Sequence, residues 1–93
     1  MIFTVENRQF YIIVASDVST RDGLGWELYE YAGGKRILLV ELFRHDYLRK
    51  ISFATFEAID IPFEALEMLI NDFNTTGGRY YLTGPDDTYP ETM

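Results

Sequence analysis

Three short turn signals between segments of alternating apolar and polar residues constrain the fold of this chain most. Glu6-Asn7 marks the first turn, and Asp22-Gly23 and Gly33-Gly34 supply the positive φ angles that tight connections require. Strands joined by such short connections pair with their neighbours along the chain. The pattern therefore predicts an antiparallel β-meander.

The segments between these turns predict four to five strands. Arg8 to Ser16 is apolar on both of its alternating sets, which is typical of a strand in the middle of a sheet. The mixed β-branched and aromatic content of Leu48 to Ala58 favours strand over helix. The predicted strands cover residues 2–6, 8–16, 26–32, 35–44 and 48–58.

The periodicity then changes and predicts one C-terminal amphipathic helix over residues 61–75. Asp60 is the expected N-cap and Pro62 fits the first turn. At 100° per residue one arc is apolar and is expected to pack on the sheet; its members are Phe63, Ala65, Leu66, Leu69, Ile70 and Phe73. Gly77 or Gly78 ends the helix in a left-handed conformation. Residues 79–83 are expected to form a short strand or an extended arm, and residues 84–93 a loose acidic tail. The fold class is α+β in a single domain.

Charge is distributed unevenly along the 93 residues. Acids outnumber bases 15 to 8, and the formal net charge is −7. Residues 1–50 carry seven of each sign, so residues 51–93 carry the whole excess. A basic protein partner would meet the second half of the chain, whereas duplex nucleic acid would be repelled overall.

Composition excludes several classes of site. Without cysteine the chain has no disulfide, thiolate metal site or cysteine nucleophile, and the cytoplasm is the expected location. The N-terminus lacks the features of a signal peptide, and the longest apolar run, Phe10 to Ala15, is too short for a membrane helix. No cofactor or metal is expected, and Asp86, Asp87 and Glu91 lack the ligand spacing of a calcium loop.

No catalytic residue is predicted. His45 is the only imidazole, and no serine lies in a nucleophile-elbow motif. The carboxylate pair Glu64 and Glu67 belongs to the polar side of the helix, where both groups should remain solvated and charged.

We therefore expect a small acidic, non-enzymatic protein-interaction module that self-associates as a homodimer through its sheet and neutralises a basic partner, in the manner of an immunity protein or an inhibitor. Aromatic residues concentrate in binding hot spots, and acids favour a basic partner. The predicted interface residues are Trp26, Tyr29, Tyr31, Met68, Glu64, Glu67 and Asp72.

The alternative is single-stranded nucleic-acid binding by the basic, aromatic segment 35–50. Aromatic rings on a sheet with nearby bases can stack on unpaired nucleotides. The residues that would do so are Lys35, Arg36, Phe43, Arg44, Tyr47, Arg49 and Lys50.

Overall fold

A computed structural model describes residues 1–82 as a five-stranded sheet with one helix on it. The elements are β1 (Ile2–Val5), β2 (Arg8–Asp17), β3 (Gly23–Ala32), β4 (Lys35–His45), β5 (Lys50–Thr55) and α1 (Phe63–Thr75). All neighbouring strands are antiparallel and follow chain order, β1-β2-β3-β4-β5. The predicted α+β meander is confirmed. The tail predicted over 84–93 and the candidate cation ligands within it lie outside the described residues.

The turn residues determine the register. Glu6 and Asn7 have φ angles of 53° and 62°, and Gly33 and Gly34 have 59° and 75°. These are the conformations of two-residue hairpins, and they place Val5 opposite Arg8 and Ala32 opposite Lys35.

Some boundaries differ from the prediction. β3 begins at Gly23 rather than residue 26, because a glycine there lets the Arg44 carbonyl approach within 1.8 Å of where a Cβ would lie. β5 begins at Lys50 rather than residue 48, since Arg49 turns the chain with a φ of 54°. Residues 79–82 form no strand.

The alternation of buried and exposed residues that a regular strand predicts is interrupted at the centre of β4. The register between β3 and β4 shifts at Leu28 and Tyr29, so that one extra residue of β4 is accommodated. As a result Leu39 and Val40, which are neighbours in the chain, are both buried in the same core.

The core lies between the helix and one side of the sheet. The Trp26 ring meets the Phe73 ring edge to face, with centroids 4.9 Å apart, and its Nε1 donates to Thr76 Oγ1 at 2.8 Å. Each fully buried large side chain here stabilises the fold by about 1.5–3 kcal/mol. The buried members are Val5, Phe10, Ile12, Trp26, Leu28, Leu39, Val40, Ala65, Leu69 and Phe73.

The helix has a glycine end but no side-chain cap at its start. Pro62 is the N-cap and Asp60 is not, contrary to prediction; the Asp60 carbonyl instead accepts from Arg8 Nη1 at 2.9 Å. At the other end Gly77 has a φ of 86° and Gly78 N donates to the Phe73 carbonyl at 2.9 Å, which is the hydrogen bond of a Schellman motif. The predicted glycine terminus is therefore confirmed.

The core-facing arc of the helix is narrower than predicted. Ala65, Leu69 and Phe73 are buried, but Phe63 is 69% exposed and Ile70 is also exposed. Met68, which is not part of the predicted apolar arc, is half-buried and packs against the core. The helix lies over β3, and the edge strand β5 contributes no buried residue to the core.

Within residues 1–82, the helix α1 lacks the length and apolar character needed to span a lipid bilayer.

Candidate protein-interaction surfaces

An apolar surface remains uncovered beside the helix, on the same side of the sheet. The side chains of Ile51 and Phe53 point to the helix side of β5, because they pair with Arg44 and Leu42 of β4, which pair in turn with Leu24 and buried Trp26 of β3. Phe53 is nevertheless 57% exposed.

The helix contributes a second apolar strip to this surface. Its end lies at Trp26 and its start near the Arg8–Glu30 pair, so it runs antiparallel to β3. A right-handed helix in that direction turns the flank carrying Phe63 and Ile70 towards β4 and β5. We call Ile51, Phe53, Phe63 and Ile70 the β5–α1 surface.

Acidic side chains surround the β5–α1 surface. Glu57 and Asp60 lie in the exposed connection from β5 to the helix, and Glu64 and Glu67 are exposed on the helix itself. The helix carries no base in its last turn. Within residues 51–82 only Arg79 is basic, whereas Arg49 and Lys50 lie at the start of β5, so the acidic border of the surface is at the helix and at the end of β5.

The opposite side of the sheet has no helix over it among the described residues and carries a second cluster. Tyr11 and Tyr29 lie opposite each other on β2 and β3 with their rings stacked, 5.0 Å apart and 6° from parallel. The Arg36 guanidinium lies over both rings and donates to Tyr11 Oη. Tyr31 completes the group and is 48% exposed. We call these four residues the Tyr–Arg patch.

Burial raises the pKa of Tyr29, and the hydrogen bond of its hydroxyl to Glu27 raises that pKa further. The phenol therefore stays protonated at neutral pH and holds Glu27 at 3.1 Å. This bond and the stacked rings hold Tyr29 at its hydroxyl and at its ring within the patch.

The predicted interface residues are divided between the two sides of the sheet. Tyr29 and Tyr31 lie in the Tyr–Arg patch, whereas Glu64, Glu67, Met68 and Asp72 lie on the helix. Trp26 is fully buried beneath Phe73, so its prediction as an exposed contact is wrong.

The predicted nucleic-acid residues do not form one surface either. Lys35 and Arg36 lie at one end of β4, while Tyr47, Arg49 and Lys50 are exposed around the turn at its other end. The ten residues between those ends span roughly 33 Å. Phe43 and Arg44, also predicted as nucleic-acid contacts, are buried.

Arg44 is buried where the segment after the helix contacts the sheet, and its side chain binds that segment. Its Nη1 donates to the Gly77 carbonyl at 2.8 Å, its Nε lies 2.7 Å from Asp46 Oδ1, and its guanidinium packs against the Trp26 ring. Asp46 in turn accepts from Leu82 N at 2.9 Å. A cleft of about 680 Å³ opens beside this pair, but both charges already bind the chain itself.

Phe43 is buried by a salt bridge that folds over it. The Arg21 guanidinium stacks 3.8 Å from the ring centre and donates to both Glu41 carboxylate oxygens, at 2.7 and 3.1 Å. Asp17 accepts from the same guanidinium at 3.0 Å. The arrangement covers one end of the otherwise open side of the sheet.

His45 and Ser52 are brought together across β4 and β5, with Nε2 and Oγ 2.6 Å apart. Burial lowers the pKa of His45, and the charges of Lys50 and Arg21 lower it further, so the ring is neutral near pH 7. The carboxylate that acts on the ring electrostatically is Glu41, which binds Arg21 with both oxygens. The pair therefore serves as a cross-strand hydrogen bond.

Comparison of the chain with protein-family models, curated proteins and solved structures finds no match in any of the three. Among residues 1–82, no three His, Asp or Glu side chains are grouped so that they could hold a metal ion.

Sequence reasoning missed the residues that form the β5–α1 surface. Phe63 and Ile70 fitted the apolar arc of the helix, and Phe53 fitted an alternating strand, so all three resembled core. The available signal was that five strands are wider than one helix, which implies that the apolar residues of one edge strand lie beyond it.

Proposed function

We propose that this chain is a non-enzymatic protein-interaction module that binds protein partners through the β5–α1 surface. The observation that supports this most directly is the exposure of Phe53 and Phe63 on the same side of a small domain. Aromatic side chains surrounded by charged residues are the usual composition of a binding hot spot and its rim.

The charge around the surface favours a basic partner, as in the neutralisation of a toxin or a nucleic-acid-binding protein. Glu57, Asp60, Glu64 and Glu67 are exposed at its border. Complementary charge of this kind speeds encounter and excludes acidic competitors. The proposed location is the cytoplasm, because a chain without cysteine gains nothing from an oxidising compartment.

Capture from a lysate of the source cells with matched variants tests this proposal. The double variant Phe53→Ser/Phe63→Ser should lose the proteins that the wild type retains, because it removes the two aromatic anchors. Tyr47→Ser/Leu48→Ser is the control, since these side chains are 83% and 59% exposed in the β4–β5 turn. Retention of the same proteins by the first variant would contradict the proposal.

Single-stranded nucleic acid is the second candidate ligand, and the Tyr–Arg patch is the observation that favours it. Arg36 lies beside three tyrosine rings on the open side of the sheet, which is an arrangement suited to base stacking. Binding of a labelled oligonucleotide at low salt that weakens on Arg36→Ala would support this candidate. Fluorescence anisotropy unchanged by the wild-type protein would exclude it for that oligonucleotide.

A further inference from the structure

β5 provides the more open of the two edges of the sheet. Among residues 1–82 it pairs only with β4, over six residues without a proline or a shift of register. The other edge strand, β1, has only four residues. An open edge strand exposes backbone donors and acceptors that pair readily with another strand unless charge, proline or a bulge prevents it.

The sequence around β5 is complementary to itself in the antiparallel direction. Residues 49–57 read Arg-Lys-Ile-Ser-Phe-Ala-Thr-Phe-Glu, basic at the start and acidic at the end. Pairing of two copies around Phe53 brings Arg49 of each towards Glu57 of the other. The same register places Ile51 opposite Thr55 and the two Phe53 rings side by side, so no like charges meet.

The interface of such a dimer centres on the strand itself. Edge-to-edge pairing covers the strand backbone and brings together Ile51 and Phe53 of both copies, and more than half of Phe53 is exposed in one copy. The helices lie over β3 of each copy, five strand spacings or roughly 24 Å apart, so Phe63 and Ile70 line the groove between them. The buried area therefore falls in the class of weak interfaces below about 1,200 Å².

We infer that the first occupant of the β5–α1 surface is a second copy of this chain, joined edge to edge by antiparallel β5 strands. This inference rests on the proposed function and names one partner for the same surface. The dimer has a two-fold axis perpendicular to the sheet at Phe53. It forms a continuous ten-stranded sheet with both helices on one side and both Tyr–Arg patches on the other.

Charge reversal within the full chain tests the register directly. Arg49→Glu alone, or Glu57→Arg alone, places like charges together twice per dimer and should raise the dimer dissociation constant at least about fivefold. The double variant Arg49→Glu/Glu57→Arg restores opposite charges and should return the constant towards the wild-type value. Sedimentation velocity over a concentration series measures all four proteins.

Two further variants separate this interface from general effects. Lys35→Glu changes the net charge as much as Arg49→Glu, but Lys35 lies at the start of β4 beside the β3–β4 turn, so the variant should leave dimerisation unchanged. Phe53→Ser removes the central contact from an exposed position and should give a folded monomer, judged by circular dichroism.

A wild-type protein that stays monomeric at every concentration overturns the inference. So does a dimer that neither single charge reversal weakens, because its interface lies elsewhere. Either result leaves the proposed function intact if Phe53→Ser/Phe63→Ser still loses captured partners from the lysate. If that variant keeps them while the charge cycle behaves as expected, the surface serves self-association and the wider proposal fails.

Discussion

Burial gives Arg44 a structural role that its charge alone does not indicate. The side chain is fully enclosed, with Asp46 as its counter-ion and the Gly77 carbonyl as its acceptor. Two charges in such a site are costly to desolvate, but removing one partner is costlier because the other remains buried alone.

Arg44→Met should therefore lower the free energy of unfolding by about 3–5 kcal/mol. Arg79→Met is the matched control, because Arg79 is exposed and bonds only to Asn74 among the hydrogen bonds described. Its expected change is within about 0.5 kcal/mol. Urea denaturation of the two variants compares them, and equal midpoints would argue against Arg44 as the tie between sheet and C-terminal segment.

The sequence cannot reveal this role because burial of Arg44 depends on Gly77, a residue 33 positions away. Segment 35–50 contains five bases, and only the fold distinguishes Arg44 from exposed neighbours such as Arg49. Phe43 raises the same difficulty, since the cover over it comes from Arg21 in another connection.

At the scale of elements, the orientation of the helix decides which apolar residues form core. Leu69 faces the sheet and is fully buried, whereas its neighbour Ile70 points to the flank and remains exposed. Sequence periodicity identifies the apolar arc of the helix. It does not show which residues of that arc face the sheet, because that depends on how the helix packs on the strands beneath it.

Leu69→Ala should cost about 2–5 kcal/mol of unfolding free energy, because it leaves a cavity at the centre of the helix–sheet contact. Ile70→Ala should cost less than about 1 kcal/mol, since much of the side chain is already in water. Thermal or chemical denaturation of both variants, at concentrations where the protein is monomeric, distinguishes them. A larger loss for Ile70→Ala would mean that the helix is rotated from the orientation described.

The strands were predictable because their determinants are local. Hairpin residues such as Gly33 and Gly34 act within four positions, and their conformations agree with expectation. The extra residue in β4 was not predictable, since a bulge depends on how two strands pack rather than on either alone. The exposure of Phe53 and Phe63 was not predictable for the same reason, because it depends on how the helix packs on the sheet.

For the molecule as a whole, ion pairs between adjacent strands and turns make stability dependent on acid. The hydrogen bond from Arg8, with its positive charge, holds the pKa of Glu30 below its usual value, and Arg21 does the same for Asp17. Because the pKa of each carboxyl group is lower in the folded chain than in the unfolded chain, the unfolded chain binds protons at a higher pH. The stabilisation is complete above the unfolded pKa values near 4 and is lost as pH falls through the folded ones.

The free energy of unfolding should therefore be level from about pH 7 to 5 with respect to these two groups and fall steadily below about pH 4. Glu30→Gln should lower stability at neutral pH and reduce the fall in acid, because it no longer responds to protonation. Denaturant titrations at a series of pH values measure both proteins. A variant with the wild-type pH dependence would show that the Arg8–Glu30 pair contributes nothing to the acid response.

The bonds of Arg44 and Asp46 to Gly77 and Leu82 have a consequence for biosynthesis. All five strands are synthesised before these two groups, and also before Leu69 and Phe73, which close the core. A nascent chain can assemble its hairpins in order, but until residues 69–82 have emerged Trp26 lacks its cover and the Arg44–Asp46 pair lacks its two backbone partners. Cooperative folding therefore waits for the segment from the helix to Leu82, and the growing chain exposes most apolar surface before that point.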